Sequence, residues 1–234
     1  MADASAVLAG VLGGVPTHGA SRGGFTWGVW RFEGGGDLEI LEPDGPDGFV
    51  HRFLASRGPG IHHVTFKVPS LGEVCARAEA HGYTIVGRDE SDPTWLEAFL
   101  HPRQALGIVV QFAEEHVPPA GGPSRRPPPP GPANPPPPVR ILGLRLRAHS
   151  RAAARRQWQD VLLGESEPRE DGPLIYRWPG SPMRLVVEID PAAEEGPLAI
   201  EYASARRVAL PAGPHPILGA RFEAVPDDPG DKCP

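Results

Sequence analysis

Residues 58–71, Gly-Pro-Gly-Ile-His-His-Val-Thr-Phe-Lys-Val-Pro-Ser-Leu, compress a turn, a short strand and a helix start into one stretch. That order fixes a βα unit against which the rest of the chain can be placed. Side chains alternate faces along a strand, so over 61–68 the neighbours His62 and His63 point to opposite sides of a sheet. At most one of them faces a given pocket. Ser70-x-x-Glu73 has the form of a capping box, in which each side chain satisfies a backbone N–H of the other. Leu71, Val74, Cys75 and Ala78 follow at i, i+3, i+4 and i+7, the apolar stripe of a helix lying on a sheet. Gly82 supplies its left-handed stop.

Upstream of this unit, the pattern predicts a helix over 3–12 with Val7, Leu8, Val11 and Leu12 on one face, then a polar, Gly-rich stretch over 15–24. Strands follow over 25–32 and 37–42, separated by turn residues, and a short helix over 46–57. Downstream, strands are expected over 83–86, 95–100 and 107–112, so 60–112 reads β-α-β-β-β. Residues 117–138 are dense in proline, which favours an extended, semi-rigid spacer or a ligand for an aromatic-lined groove. Beyond it the same order recurs, with a strand over 139–147, a helix capped by Ser150 and ended by Gly164, and strands over 174–178, 183–189 and 197–202. The comparison of repeats gives three β-α-β-β-β modules, the first without its opening strand. Domain boundaries at 1–116, 117–138 and 139–226 follow, with a disordered tail over 227–234.

Composition removes several function classes. A formal net charge of −6 and a pI near 5.8 argue against a dedicated nucleic-acid surface. Cys75 lies on a helix stripe and Cys233 is next to last, so neither a disulfide framework nor a thiolate metal site is implied. No apolar run reaches the roughly 18 residues of a membrane span, and no signal peptide is visible. A cytoplasmic protein without membrane or nucleic-acid partners is the expectation.

Three motifs carry a resemblance. Gly60-Ile-His-His-Val-x-Phe-x-Val, Phe99-Leu-His-Pro and Gly107-Ile-Val-Val-Gln-Phe resemble the second half of a glyoxalase-type or epimerase-type domain of the vicinal oxygen chelate superfamily. The Gly-rich 17–32 stretch before Asp37-Leu-Glu-Ile-Leu-Glu-Pro is similar to its glyoxalase-like branch. Over 139–203 only the order of elements agrees. The resemblance implies an α+β fold of paired βαβββ modules forming a cup, with a divalent ion (Zn, Ni, Co, Mn or Fe) held between first and last strands.

Matched position by position, the implied metal ligands are Glu39, His63 and Gln111. The fourth ligand belongs to the opening strand of module one, which either is missing or lies upstream of Met1. Neither carboxylate of the epimerase mechanism is present: Trp27 lies near the position of one and Gln111 replaces the other. In the third module Gly143 falls where His63 would be and Glu201 where Gln111 would be, so no metal site is expected there.

Each residue also has a plainer reading. His63 is either a ligand or a histidine satisfied by hydrogen bonds. Glu39 faces either a pocket or solvent, and Gln111 interrupts an apolar run where a buried amide without partners would be costly. Trp27 and Trp30 are candidates to contact a planar substrate, or they pack. No catalytic acid or base is identified. Two functions stay open: a metal-dependent isomerase or lyase on a small carbonyl or thioester compound, and a metal-free cup that sequesters a small molecule. The third module must bury its apolar face on residues 1–112 or on another copy, which makes a homodimer plausible.

Overall fold

The computed structural model describes residues 1–116, 127–166 and 171–226. The first half runs α1 (Ala2–Leu8), β1 (Val15–Arg22), β2 (Phe25–Arg31), β3 (Asp37–Pro43), α2 (Phe49–Arg57), β4 (His63–Lys67), α3 (Leu71–Ala80), β5 (Ile85–Asp89), β6 (Trp95–Leu100) and β7 (Val109–Glu115). The second half runs β8 (Arg140–Ala148), α4 (Arg151–Arg155) widening into a π-helical turn (Arg156–Val161), β9 (Glu165–Ser166), β10 (Leu174–Arg177), β11 (Arg184–Ile189), β12 (Gly196–Ala203) and β13 (Phe222–Ala224). No helix among the described residues is long and apolar enough to cross a membrane.

The βα unit forms as its residues dictate. Ser70 Oγ accepts from the Glu73 N–H at 3.3 Å, and Gly82 ends the helix region with φ +84°. The reciprocal half of the capping box is not made. Instead the Glu114 carboxylate, from the far end of β7, accepts from the Leu71 N–H at 2.6 Å. A carboxylate at a helix N-terminus also meets the positive end of the helix dipole.

Three sheets result. The first, β1-β2-β3, is antiparallel throughout. Its first strand lies in the Gly-rich stretch that had no strand signature. Gly19 makes the pairing possible, since a Cβ there would sit 2.4 Å from the Trp27 carbonyl oxygen. The second sheet has the order β4-β7-β6-β5, with β4 and β7 parallel. The third has the order β13-β12-β8-β11-β10-β9.

In this third sheet the strand order differs from expectation. β11 runs parallel to β8 and closes the module, as β7 does beside β4. β12 lies antiparallel on the opposite edge of β8. The module therefore closes one strand earlier than the sequence suggests, because its second strand, β9, is only two residues long and leaves no periodic signal. The residue matching Gln111 is then Val186, two past the partner of Gly143, while Glu201 is the cross-strand partner of Gly143. Glu201 is fully buried and is held by Arg145 and Arg184.

One core cluster joins the two halves. The α3 stripe and the inward faces of β6 and β7 pack with Leu144, Leu146, Trp158, Val161 and Leu185. The Phe66 ring lies 4.8 Å from that of Trp178 and 5.9 Å from that of Trp158. Each fully buried side chain of this size contributes about 1.5–3 kcal/mol. The apolar face of the second half is thus covered within the same chain.

The described part of the proline-rich segment, 127–138, is packed against the protein. Pro128 covers Gly28 on β2, Ser5 Oγ donates to the Pro129 carbonyl, and Arg206 bridges the carbonyls of Pro137 and Val11. Residues 117–126 of the expected spacer and the expected tail over 227–234 lie outside the described residues.

Candidate metal centre and small-molecule cup

Strand alternation selects the cup lining. On β4, Val64 and Phe66 pack against the joint core, which turns His63 and Thr65 the other way. Gln111 pairs with Thr65, and Glu97 and Trp95 lie on the neighbouring strand β6. From the first sheet come Glu39 on β3 and Trp27 on β2, which share a face because Val29 pairs with Glu39. His63 Nε2 and Glu39 Oε1 meet across the cup at 3.9 Å.

His63 is well covered, its side chain only 12% exposed. Burial, and then the neighbouring His62, lower its pKa to about 3. Burial likewise lowers His62 to about 4. Both imidazoles are therefore neutral at physiological pH. His62 lies just before β4, its ring 4.8 Å from Phe53 and 5.4 Å from Phe49, and its Nδ1 is 3.2 Å from His63 Nδ1. A contact between two neutral rings needs one donor and one acceptor. If His63 donates through Nδ1, its Nε2 lone pair faces Glu39, which is the tautomer a metal ligand requires.

Glu39 keeps about a third of its side chain accessible (34%) at the concave mouth. Even so, desolvation by the cup walls, followed by repulsion from Glu97, raises its pKa to about 7. Burial thus leaves this carboxyl poised to change charge near neutrality.

Glu97 is the residue that sequence reasoning missed. Its Oε2 accepts from Trp95 Nε1 at 2.9 Å and from Gln111 Nε2 at 2.8 Å, and its Oε1 is 3.8 Å from Arg22 Nη1. Arg22 also reaches Asp89 at 2.7 Å, tying the β1–β2 hairpin to the second sheet. Gln111 completes the chain by accepting from Thr65 Oγ1 at 2.7 Å. Its buried amide is thus satisfied. The signal was present in Trp95-Leu96-Glu97-Ala98-Phe99-Leu100, where an acid alternates with residues of a buried face.

The two tryptophans separate. Trp27 lines the cup side, with the His18 ring 5.4 Å away and edge-on. Trp30, three residues on, faces the opposite side and is fully buried with Leu8, Leu12 and Phe32 beneath α1. Its expected contact with substrate is therefore corrected to a packing role, because odd spacing on a strand reverses the face. Among the described residues no three His, Cys, Asp or Glu side chains gather round one centre that could hold a metal ion. A neutral imidazole, a carboxylate and an amide oxygen form a donor set that suits a divalent ion of borderline-to-hard character. These residues fit such an ion.

The cup thus sets a histidine of an opening strand, His63 on β4, opposite a carboxylate of a closing strand, Glu39 on β3. Residues 1–99 match the family model described as the Glyoxalase/Bleomycin resistance protein/Dioxygenase superfamily. Over those residues the chain is similar to the vicinal oxygen chelate superfamily. The uncharacterized protein YqjC of Bacillus subtilis is 33% identical over 79 residues, which cover 33% of this chain and 56% of that protein. The chain thus spans about half the length of this curated relative. A mutant 4-hydroxymandelate synthase from Streptomyces coelicolor superposes with a TM-score of 0.60 at 16% identity, over 86% of this chain and 67% of that one. That likeness is one of fold. Methylmalonyl-CoA epimerase from Mycobacterium tuberculosis gives a TM-score of 0.42 at 22% identity, over 45% of this chain and 74% of that one.

Proposed function

We propose that this protein is a glyoxalase-like, divalent-metal-dependent isomerase or lyase acting on a small carbonyl or thioester compound. The observation that carries the reading is the His63–Glu39 approach at 3.9 Å inside the cup. An imidazole nitrogen and a carboxylate oxygen this close are donors of the kind that hold divalent ions. Members of the superfamily usually bind divalent metals. His63 Nε2, a Glu39 oxygen and the Gln111 amide oxygen would hold the ion. When bound, it would polarise a substrate carbonyl and make the adjacent carbon more acidic. Trp27 would hold the apolar part of the substrate and exclude water. In the metal-free cup the Glu39 carboxyl is raised to about 7 by burial and Glu97, and a bound cation would return it to the charged form.

The test is metal content of protein purified without a histidine tag. Stoichiometric metal in the wild type, lost in His63→Ala with the circular dichroism unchanged, supports the reading. A metal-free wild type refuses it.

A second reading, a metal-free sequestering cup, is favoured by one observation: Gln111 already has hydrogen-bond partners at both ends of its amide. Under it, a planar ligand quenches Trp27 fluorescence in the presence of a chelator, and Trp27→Phe removes the response. Trp30 is a poor reporter because it is buried.

A further inference from the structure

We infer that Glu97 is a positioning residue that sets which end of the Gln111 amide faces the His63 strand. This rests on the proposed reading that a cation sits at His63 and Glu39. The two ends of a carboxamide have nearly the same shape and opposite chemistry: the oxygen accepts and the nitrogen donates. The neighbours alone decide which end goes where.

Here the polarity runs outward from a group that can act in only one way. The Trp95 indole N–H only donates, and it donates to Glu97 Oε2 at 2.9 Å. That same oxygen faces the Gln111 amide at 2.8 Å. Reversing the amide would set two acceptor oxygens against each other at hydrogen-bond distance, so the NH2 end faces Glu97. The oxygen end is then turned to β4, where the Thr65 hydroxyl donates to it at 2.7 Å. Thr65 lies two residues from His63 on the same strand face. A carbonyl oxygen has two lone pairs, and Thr65 uses one. The other remains, on the sheet face that also carries His63. Glu97 thus acts through Gln111, and it adds a second negative charge behind the donor set without entering it. Partners of this kind commonly change metal affinity by about 10- to 100-fold.

The experiment is a cobalt(II) titration of tag-free wild type, Glu97→Leu, which removes the acceptor, and Glu97→Leu combined with Gln111→Glu. Affinity is followed by calorimetry and coordination by the visible ligand-field bands, with circular dichroism as the check of fold. The double variant places a carboxylate at 111, whose two oxygens are equivalent and need no orienting. Glu97→Leu is expected to weaken cobalt binding by about 10- to 100-fold and to change the bands. The double variant is expected to restore wild-type affinity or better. Glu97→Leu with wild-type affinity and bands overturns the role of Glu97 alone, as does a double variant that binds as weakly as the single one. A wild type that takes up no cobalt overturns the underlying reading, and this inference with it.

Discussion

At the scale of single residues, His62, His63 and Glu39 form a set whose protonation opposes itself. Folding lowers the histidines from an ordinary value of 6.5 to about 4 and about 3, and raises Glu39 from 4.5 to about 7. Between pH 4.5 and 6.5 the unfolded chain binds two protons at the histidines that the folded chain refuses. The folded chain binds one at Glu39 that the unfolded chain releases. Stability follows the difference in bound protons, so this set makes stability rise with pH up to about 6.5. From there to about 7 only Glu39 acts, and stability falls slightly as its burial penalty appears. Urea midpoints measured across pH should show that maximum. In the double variant His62→Gln, His63→Gln the slope between pH 4.5 and 7 should reverse, because Glu39 alone then sets it. An unchanged slope would show that these histidines do not titrate on unfolding. The histidine pair itself was legible in the sequence, whereas Glu97 showed only as an acid within an alternating strand, since its role comes from β6 lying beside β7.

At the scale of elements, the caps and stripes were legible because they depend on spacing within a few residues. Ser70, the α3 stripe and Gly82 all act as their positions dictate. Ser70→Ala should cost about 1 kcal/mol, read as a shift in urea midpoint with unchanged slope. Glu114→Gln should also weaken this helix start, through the lost charge near the Leu71 N–H. That contact spans 43 residues and has no local signature. β1 was missed for the opposite reason: its local sequence is Gly-rich and polar, and pairing with β2 overrides that weak preference. β12 was found as a strand and assigned the wrong neighbours, because a strand pattern reports a buried face and is silent on pairing.

At the scale of the whole molecule, the two halves share two core clusters and meet at tight backbone contacts. Gly107 has φ +78°, and a Cβ there would lie 2.3 Å from the Glu195 carbonyl oxygen across the junction. Gly107→Ala should therefore strain the joint. Trp158→Ala should cost about 3–5 kcal/mol by leaving a cavity beside Phe66 and α3. Calorimetry should record one unfolding transition for the wild type, and Trp158→Ala should lower it as a unit; two transitions in the wild type would mean that the halves fold independently. The sequence by itself determined the βα units, the repeated order of elements, the family resemblance and the candidates His63, Glu39 and Gln111, all of which rest on short-range periodicity and motif. Only the tertiary structure decided which tryptophan lines the cup, where the third module closes, and that the described prolines pack against α1 and the first sheet. It also decided that Gln111 answers to Glu97. Those outcomes depend on which strands become neighbours, and neighbours far apart in the chain are chosen by packing rather than by local spacing.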